Sequence, residues 1–287
     1  MAKVFAVLTS DPNLIRCELR RLTGRVGLST GTELNAVGLG SYAQEEVLLQ
    51  RYASERELPG LDELGSPESE VVLYHADRLP IGVSLEENTQ PYRFRHWLFA
   101  HVGELSGFGG VRVKLISLLP EHLQRQLRGD SDSEAAFALF LKHLRDTGRT
   151  EDRALEAATG AALLGKTARV LEDLVREVGT TGRSTLNFVA TNGRMLLASR
   201  SGPEPLYYSL LEGTDRCERC GLDASTPETL PLKRAHRRRR TVVVTSSPER
   251  LDGWIEIPTG TVIAVDRSAS VQQLPLGLVP ILIKRLA

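Results

Sequence analysis

The spacing of apolar residues changes twice along this chain, and that change limits the folds open to it. Short apolar runs suited to buried strands come first, at residues 4–8, 71–74 and 97–101. Helical spacing follows. Ser131 and Glu134 have the spacing of a capping box, and Phe137, Phe140, Leu141 and Leu144 recur at i, i+3, i+4 and i+7. A second helical stretch covers 151–178, with Leu163, Leu164, Leu171, Leu174, Val175 and Val178 on its buried side. Gly160 and Gly165 weaken that helix or admit close packing. Extended runs then return. Residues 185–190 and 195–198 flank Asn192-Gly193, the strongest short hairpin signal. Residues 206–211, 241–245, 254–257 and 261–265 are further strand candidates, and Pro258-Thr259-Gly260 is expected to turn the last pair. Strands, two helices and strands again suit one large α+β domain with helices on sheet faces.

The remaining segments fit that frame. Residues 13–22 read as a short helix. Residues 30–42 are extended but interrupted by Gly31, Gly38 and Gly40, and 45–61 read as a strand followed by a loop. Pro80 discourages regular structure after His75-Ala76-Asp77-Arg78. The strand at 97–101 is expected to stop at Gly103, and the run 274–283 reads as a final strand or packed tail. No repeat and no long linker divides the 287 residues, so a single domain over 1–287 is expected.

Charge and composition exclude some functions. Lys plus Arg and Asp plus Glu both number 36, so the chain is no bulk binder of nucleic acid or anionic membrane. No apolar stretch approaches the roughly 18 residues of a membrane span, and the apolar start is too short for a secretory signal. Three cysteines, Cys17, Cys217 and Cys220, do not make a disulfide scaffold. A cytoplasmic location follows as the expectation. No nucleotide-binding glycine motif appears, and no cofactor is expected.

Several local patterns fall in a telling order. Asn35-Ala36-Val37-Gly38-Leu39-Gly40 precedes His75-Ala76-Asp77-Arg78. Asn88-Thr89-Gln90-Pro91, Trp97 to Gly103, and Gly129-Asp130-Ser131-Asp132-Ser133-Glu134 come next. Leu186-Asn187-Phe188 leads into Asn192-Gly193 and Ala198-Ser199-Arg200. This order resembles the class II glutamine amidotransferases, in the small stand-alone branch of the N-terminal-nucleophile hydrolases. The resemblance covers nearly the whole chain. It implies a four-layer αββα sandwich of two mainly antiparallel sheets, with a variable Cys-rich and basic insertion around 213–240.

The resemblance also implies a chemistry that the residues here do not supply. In that family the initiator Met is removed, and an exposed Cys attacks the glutamine amide with its own α-amine as base. An α-amine of pKa about 8 and an intrinsically nucleophilic thiol suit that task. The matching residue is Ala2, which has no thiol. The family's Arg for the glutamine α-carboxylate is matched by Asp77, an anion facing an anion. In the family's His-Asn-Gly, the Asn side chain and the Gly N–H form an oxyanion hole. Here the residues are His101-Val102-Gly103, so Gly103 keeps a donor and Val102 does not; one lost donor costs roughly 3 kcal/mol. Asp132 matches the Asp that holds the ligand's ammonium group, although an anion in a first helical turn is favourable without any ligand. Glu134 reads as a cap. His75 and His101 lie near the implied pocket as ligand-binding candidates, or as residues that pack and orient a loop.

Other clusters keep alternatives open. Cys217-Glu218-Arg219-Cys220 reads first as a surface loop with two thiols. A zinc site would need two more ligands, with His236 a third candidate and Cys17 distant in sequence; redox chemistry or pairing with another chain is a further reading. Lys233, Arg234, Arg237, Arg238, Arg239 and Arg240 form the sharpest charge feature. They read as a solvated sheet edge, a patch for a protein partner, or a polyanion site, and the absence of interleaved aromatics disfavours single-stranded nucleic acid. Ser131, Ser133, Thr181, Ser184 and Thr185 have no identifiable His and acid partners in the sequence. The expectation is a non-catalytic protein that binds a partner protein or a small amino-acid-like ligand, with homo-oligomerisation open. The alternative is an amide or peptide hydrolase with a new nucleophile near Ala2, Asp77, His101 and Asp132.

Overall fold

The strand Lys3–Thr9 (β1) sets the layering. Every side chain from Val4 to Leu8 is buried, yet alternate side chains of a strand leave opposite faces. Both faces must therefore be covered. The computed structural model describes residues 2–27, 34–53, 68–80 and 82–277. After β1 and a 3-10 turn (Pro12–Leu14) come α1 (Ile15–Leu22), β2 (Ala36–Ala43), β3 (Glu46–Ala53), β4 (Val71–Asp77), α2 (Leu85–Asn88), β5 (Tyr92–Phe94) and β6 (Trp97–Glu104). A helical block follows: α3 (Phe108–Ser117), α4 (Glu121–Gln124), α5 (Asp132–Asp146) and α6 (Ala157–Val178). The last third holds β7 (Thr185–Thr191), β8 (Leu196–Arg200), β9 (Tyr207–Leu211), α7 (Pro231–Arg238), β10 (Thr241–Thr245), β11 (Ile255–Glu256), β12 (Thr261–Val265) and β13 (Val271–Pro275).

Two antiparallel sheets result, ordered β11-β9-β10-β1-β4-β2-β3 and β13-β12-β8-β7-β6-β5. Val4, Ala6 and Leu8 point between the sheets, where they meet Leu98, Ala100 and Val189. Phe5 and Val7 point the other way, onto Ile15, Leu19 and Leu22 of α1. The second sheet sends Phe99 and Phe188 outward, against Val111 of α3, Phe140 of α5 and Leu164 of α6. The layers are thus helix, sheet, sheet and helices, the α+β sandwich expected. No helix among the described residues is long and apolar enough to cross a membrane.

Several boundaries differ from the sequence reading, each for a local reason. The second long helix starts at Ala157 rather than near 151, because Asp152 accepts a hydrogen bond from Ala154 N (2.9 Å) and pairs with Arg149, which holds a turn there. The strand β6 runs through Gly103 to Glu104. Gly103 pairs with Leu186 at φ 136°, and a Cβ there would meet the Thr185 carbonyl oxygen at 2.1 Å, so glycine allows the close approach without ending the strand. Pro258-Thr259-Gly260 does not join a hairpin. β11 pairs with β9 in one sheet and β12 with β8 in the other, so this turn carries the chain between layers. The helices α3 and α7 were not anticipated: Gly109-Gly110 dilute the apolar stripe of the first, and the second hides inside the basic run. Residues 30–33, the loop after Ala53 and the run 278–283 lie outside the described residues.

Between α5 and α6 the helical layer buries a histidine. Thr167 Oγ1 donates its proton to the Leu163 carbonyl (2.9 Å), so the His143 Nδ1–H donates to Thr167 Oγ1 (3.0 Å). Burial first, and then Lys166 and Lys142, push the His143 pKa down from 6.5 to about 4. The unfolded chain therefore binds this proton more readily than the folded one. The contribution to stability is complete above pH 6.5 and is lost as pH falls from there toward about 4. It amounts to roughly 3 kcal/mol. Urea denaturation across this window should show a steeper loss of stability for the wild type than for His143→Gln; parallel curves would show that His143 does not contribute.

Candidate functional site

Strand register gathers the sequence-predicted residues. β1 and β4 are antiparallel, with Lys3 opposite Ala76, so the head of β1 at Ala2 and the tail of β4 at Asp77 share one end of the sheet. Ala2 is half-buried and packs against the inter-sheet core that contains Val4 and Val102. The two sheets are tied nearby: His75 Nε2 donates to the His101 carbonyl oxygen at 3.2 Å. Burial pushes the His75 pKa down, which keeps this ring neutral as it bridges the layers.

His101 is the hub of the arrangement. Its backbone N–H donates to Gln90 Oε1 (2.7 Å), and its carbonyl accepts from Gln90 Nε2 (3.3 Å) as well as from His75. The Gln90 side chain thus acts as a missing strand neighbour. In the ring, Nε2 donates to the Thr185 carbonyl (2.9 Å), and Nδ1 lies 2.9 Å from Ser133 Oγ. Ser133 Oγ also lies 3.1 Å from Asp132 Oδ1. The hydroxyl has one proton. It goes to Nδ1 when the imidazole is neutral, and to Asp132 when the ring carries a second proton. Sequence reasoning missed this Ser–His contact because the partners lie 32 positions apart, on a helix start and a strand.

The glutamine contacts that the resemblance implies find other uses or none. Asp132 Oδ2 accepts from Leu105 N at 2.6 Å, fixing the chain just after β6. Asp77 Oδ1 accepts from Arg78 N at 2.7 Å. Asn35 N donates to the Asp77 carbonyl, and the Asn35 amide brackets Leu79, accepting from its N–H (2.7 Å) and donating to its carbonyl (3.0 Å). Val102 joins the inter-sheet core, and its cross-strand neighbour Asn187 presents its side chain on the same face. Asn187 Nδ2 donates to the Glu204 carbonyl (3.1 Å), while its Oδ1 is buried without a hydrogen-bond partner. Glu134 caps differently from the box expected. Ser131 Oγ accepts from Glu134 N (3.1 Å), but the Glu134 carboxylate turns to Arg128 N (3.0 Å) and Gly129 N (2.8 Å) instead of reaching back to Ser131. A cavity of about 630 Å³ lies beside Arg51, Tyr92, Arg128, Glu134 and Phe137, and none of Ala2, Asp77, His101 or Asp132 lines it.

The basic run is divided. Lys233 and Arg239 are each 1% exposed: Lys233 Nζ donates to the Thr226 carbonyl (2.7 Å) and pairs with Glu228 (3.0 Å), and Arg239 pairs with Glu18 (2.7 Å). Arg237 is exposed but held by Asp215 and Glu228, and Arg240 lies 3.9 Å from Glu212. Within the run, Arg234 and Arg238 are exposed and have no ion pair among the described residues. The run does not guard a sheet edge, because β10 lies between β9 and β1. Cys217, Cys220 and His236 gather beside α1 with Cys17, away from the His101 hub.

The sandwich and the placement of these motifs define an amidotransferase-like protein. Residues 64–276 match the model of the class-II glutamine amidotransferases, and the chain belongs to that family. A probable glutamine amidotransferase, DUG3, from Saccharomyces cerevisiae is 27% identical over 217 residues, covering 69% of this chain and 58% of its own length; the chain thus spans little more than half of that relative. Among solved structures, a glutamine aminotransferase class-II domain protein from Silicibacter pomeroyi superposes with a TM-score of 0.57 at 17% identity, covering 96% of this chain and 100% of that one. A predicted glutamine amidotransferase from Pseudomonas aeruginosa gives 0.55 at 20% identity, with 94% of each chain covered. At these identities the structures share the fold.

The bonds of Asp132 assign it a structural load independent of any ligand. Asp132→Ala should lower unfolding free energy by about 2 kcal/mol in urea titrations without added ligand, since bonds to a charged acceptor contribute about 1.5–3 kcal/mol. An unchanged midpoint would remove that load and leave the carboxylate free for a ligand.

Proposed function

We propose that this chain is a catalytically inactive class-II glutamine amidotransferase-like protein that acts as a binding or regulatory module. The carrying observation is Ala2 at the head of β1, where the resemblance requires a nucleophilic side chain. Asp77 and Val102 support the reading, because each removes a further contact to glutamine or to its tetrahedral intermediate. So does the engagement of Asp132 with Leu105 N and Ser133. The occupant of the remodelled end is a partner protein or a small amino-acid-like ligand.

One observation favours the second reading, an amide hydrolase with a different nucleophile. Ser133 Oγ contacts the His101 ring beside Asp132. Against it, Ser133 and His101 are buried, at 6% and 2% exposure, and the far nitrogen of the ring faces a carbonyl instead of a carboxylate. A serine nucleophile needs access to its substrate and a base held in the productive tautomer.

Ammonia release from L-glutamine by native, untagged protein tests the proposal, with mass spectrometry reporting whether Met1 is removed. No turnover above a heat-killed control is expected at millimolar glutamine. Ala2→Cys alone should stay inactive, because Asp77 and Val102 remain. Clear turnover that scales with protein would overturn the proposal, and labelling of Ser133 by a fluorophosphonate would establish the hydrolase reading in its place.

A further inference from the structure

We propose that Cys17, Cys217, Cys220 and His236 form a structural zinc site that fastens the insertion between β9 and β10 to α1. The ligand atoms of all four residues lie within 4.8 Å of one another. Cys17 Sγ and Cys220 Sγ are 3.5 Å apart, and all three cysteines are free thiols. Tetrahedral zinc with Zn–S bonds of about 2.3 Å places its sulfurs about 3.7 Å apart. The cluster therefore needs only a small contraction to close around the ion. Three thiolates and one imidazole are a donor set suited to zinc, and four protein ligands leave no open position for catalysis.

The backbone delivers these ligands from three separate segments. Cys17 projects from α1, His236 from α7, and the Cys-x-x-Cys pair from a tight turn between β9 and α7. In that turn Cys217 and Leu222 exchange backbone hydrogen bonds of 2.9 and 3.0 Å, and Cys220 N donates to the Cys217 carbonyl at 3.2 Å. Gly221 at φ 65° lets the chain reverse directly after the second thiol. No helix starts at the pair to activate a redox thiolate; α7 begins at Pro231.

A second observation points to a ligand. The His236 Nε2 atom is buried and has no hydrogen-bond partner, in a residue with no exposed surface. Its other nitrogen lies 3.2 Å from Arg239 Nη1. Binding through Nε2 puts the proton on Nδ1 and turns Arg239 away; binding through Nδ1 replaces the Arg239 contact. In both cases Arg239 keeps Glu18 as its partner, 2.7 Å away. Zinc with three thiolates carries one net negative charge, and Arg20, Arg21, Arg216, Arg219 and Arg239 line the surrounding cavity, against Glu18 and Glu218. The excess of cations suits that charge.

The test is the metal content of untagged protein purified with a reductant and without chelator. About one zinc per chain is expected, released when the thiols are blocked with a mercurial. Replacement by Co²⁺ should give tetrahedral d–d bands and thiolate-to-metal charge transfer, a readout on wild-type protein that does not depend on a variant folding. Cys217→Ser with Cys220→Ser should lose the metal. Chelator should lower the Tm of the wild type and leave that of the double variant unchanged. Metal-free protein that shows no cobalt–thiolate band would overturn the proposal, as would a Cys17–Cys220 disulfide in protein alkylated without reduction, or full metal retention in the double variant.

Discussion

The central strands of the larger sheet are buried on both faces, and the architecture follows from that constraint. A strand with an unbroken apolar run, here Val4 to Leu8, cannot leave either face to water, so β1 demands one layer above and another below. The demand is met unequally. The inner face receives small and medium side chains, Val4, Ala6 and Leu8, which let the second sheet approach. The outer face presents Phe5 and Val7 to a short amphipathic helix. The second sheet repeats the scheme, with larger aromatic groups outward: Phe99 stacks near Phe137 at 5.1 Å, and Trp97 meets Phe140 edge-on at 5.2 Å. The helices α5 and α6 seal that aromatic layer.

The site end of the sandwich is held by polar bonds that do not need a substrate. His75 and Gln90 both serve the His101 carbonyl, so one backbone oxygen joins two sheets and a loop. None of these bonds passes through the side chains of Ala2, Asp77 or Val102, so the frame does not depend on what stands at those positions. Val102 illustrates the point. Val102 is part of the inter-sheet core, beside the polar side chain of Asn187 on the same face. The apolar residue suits the fold at the place where the implied reaction would require a donor.

Much of this was legible in the sequence, and the failures have physical causes. The helix α5 declared itself by Ser131 and its four-residue apolar stripe, and the β7–β8 hairpin by Asn192-Gly193, because both signals are local. The pairing of β11 was not local. Its partner is set by the sheet on which Ile257 N reaches the Leu206 carbonyl (2.8 Å), so the adjacent turn gave the wrong neighbour. The basic run misled through its density. Charge that looks like a solvated face is interior at Lys233 and Arg239, since the acids that neutralise them, Glu228 and Glu18, lie on other segments. The same separation hid Cys17 from the Cys-x-x-Cys pair and Ser133 from His101. Chemistry assembled from distant segments is visible only after the chain has folded.

The burial of Lys233 and Arg239 bears on what the segment between β9 and β10 does. Removing two cations from water costs several kcal/mol each unless acids and hydrogen bonds accompany them. Both have such partners, and those partners fix geometry. Arg239 locks α7 to α1 through Glu18, while Lys233 holds the loop ahead of α7 by the Thr226 carbonyl. The exposed Arg237 closes the base of the same loop onto Asp215. A segment built only as a flexible tether would not carry buried charge. These pairs specify one seating of the segment against α1, and that seating brings a helix-borne thiol, a turn-borne pair of thiols and an imidazole to a common point. Two kinds of directional bond, ionic and thiolate–metal, would then act on the same joint, each limiting the motion that could break the other.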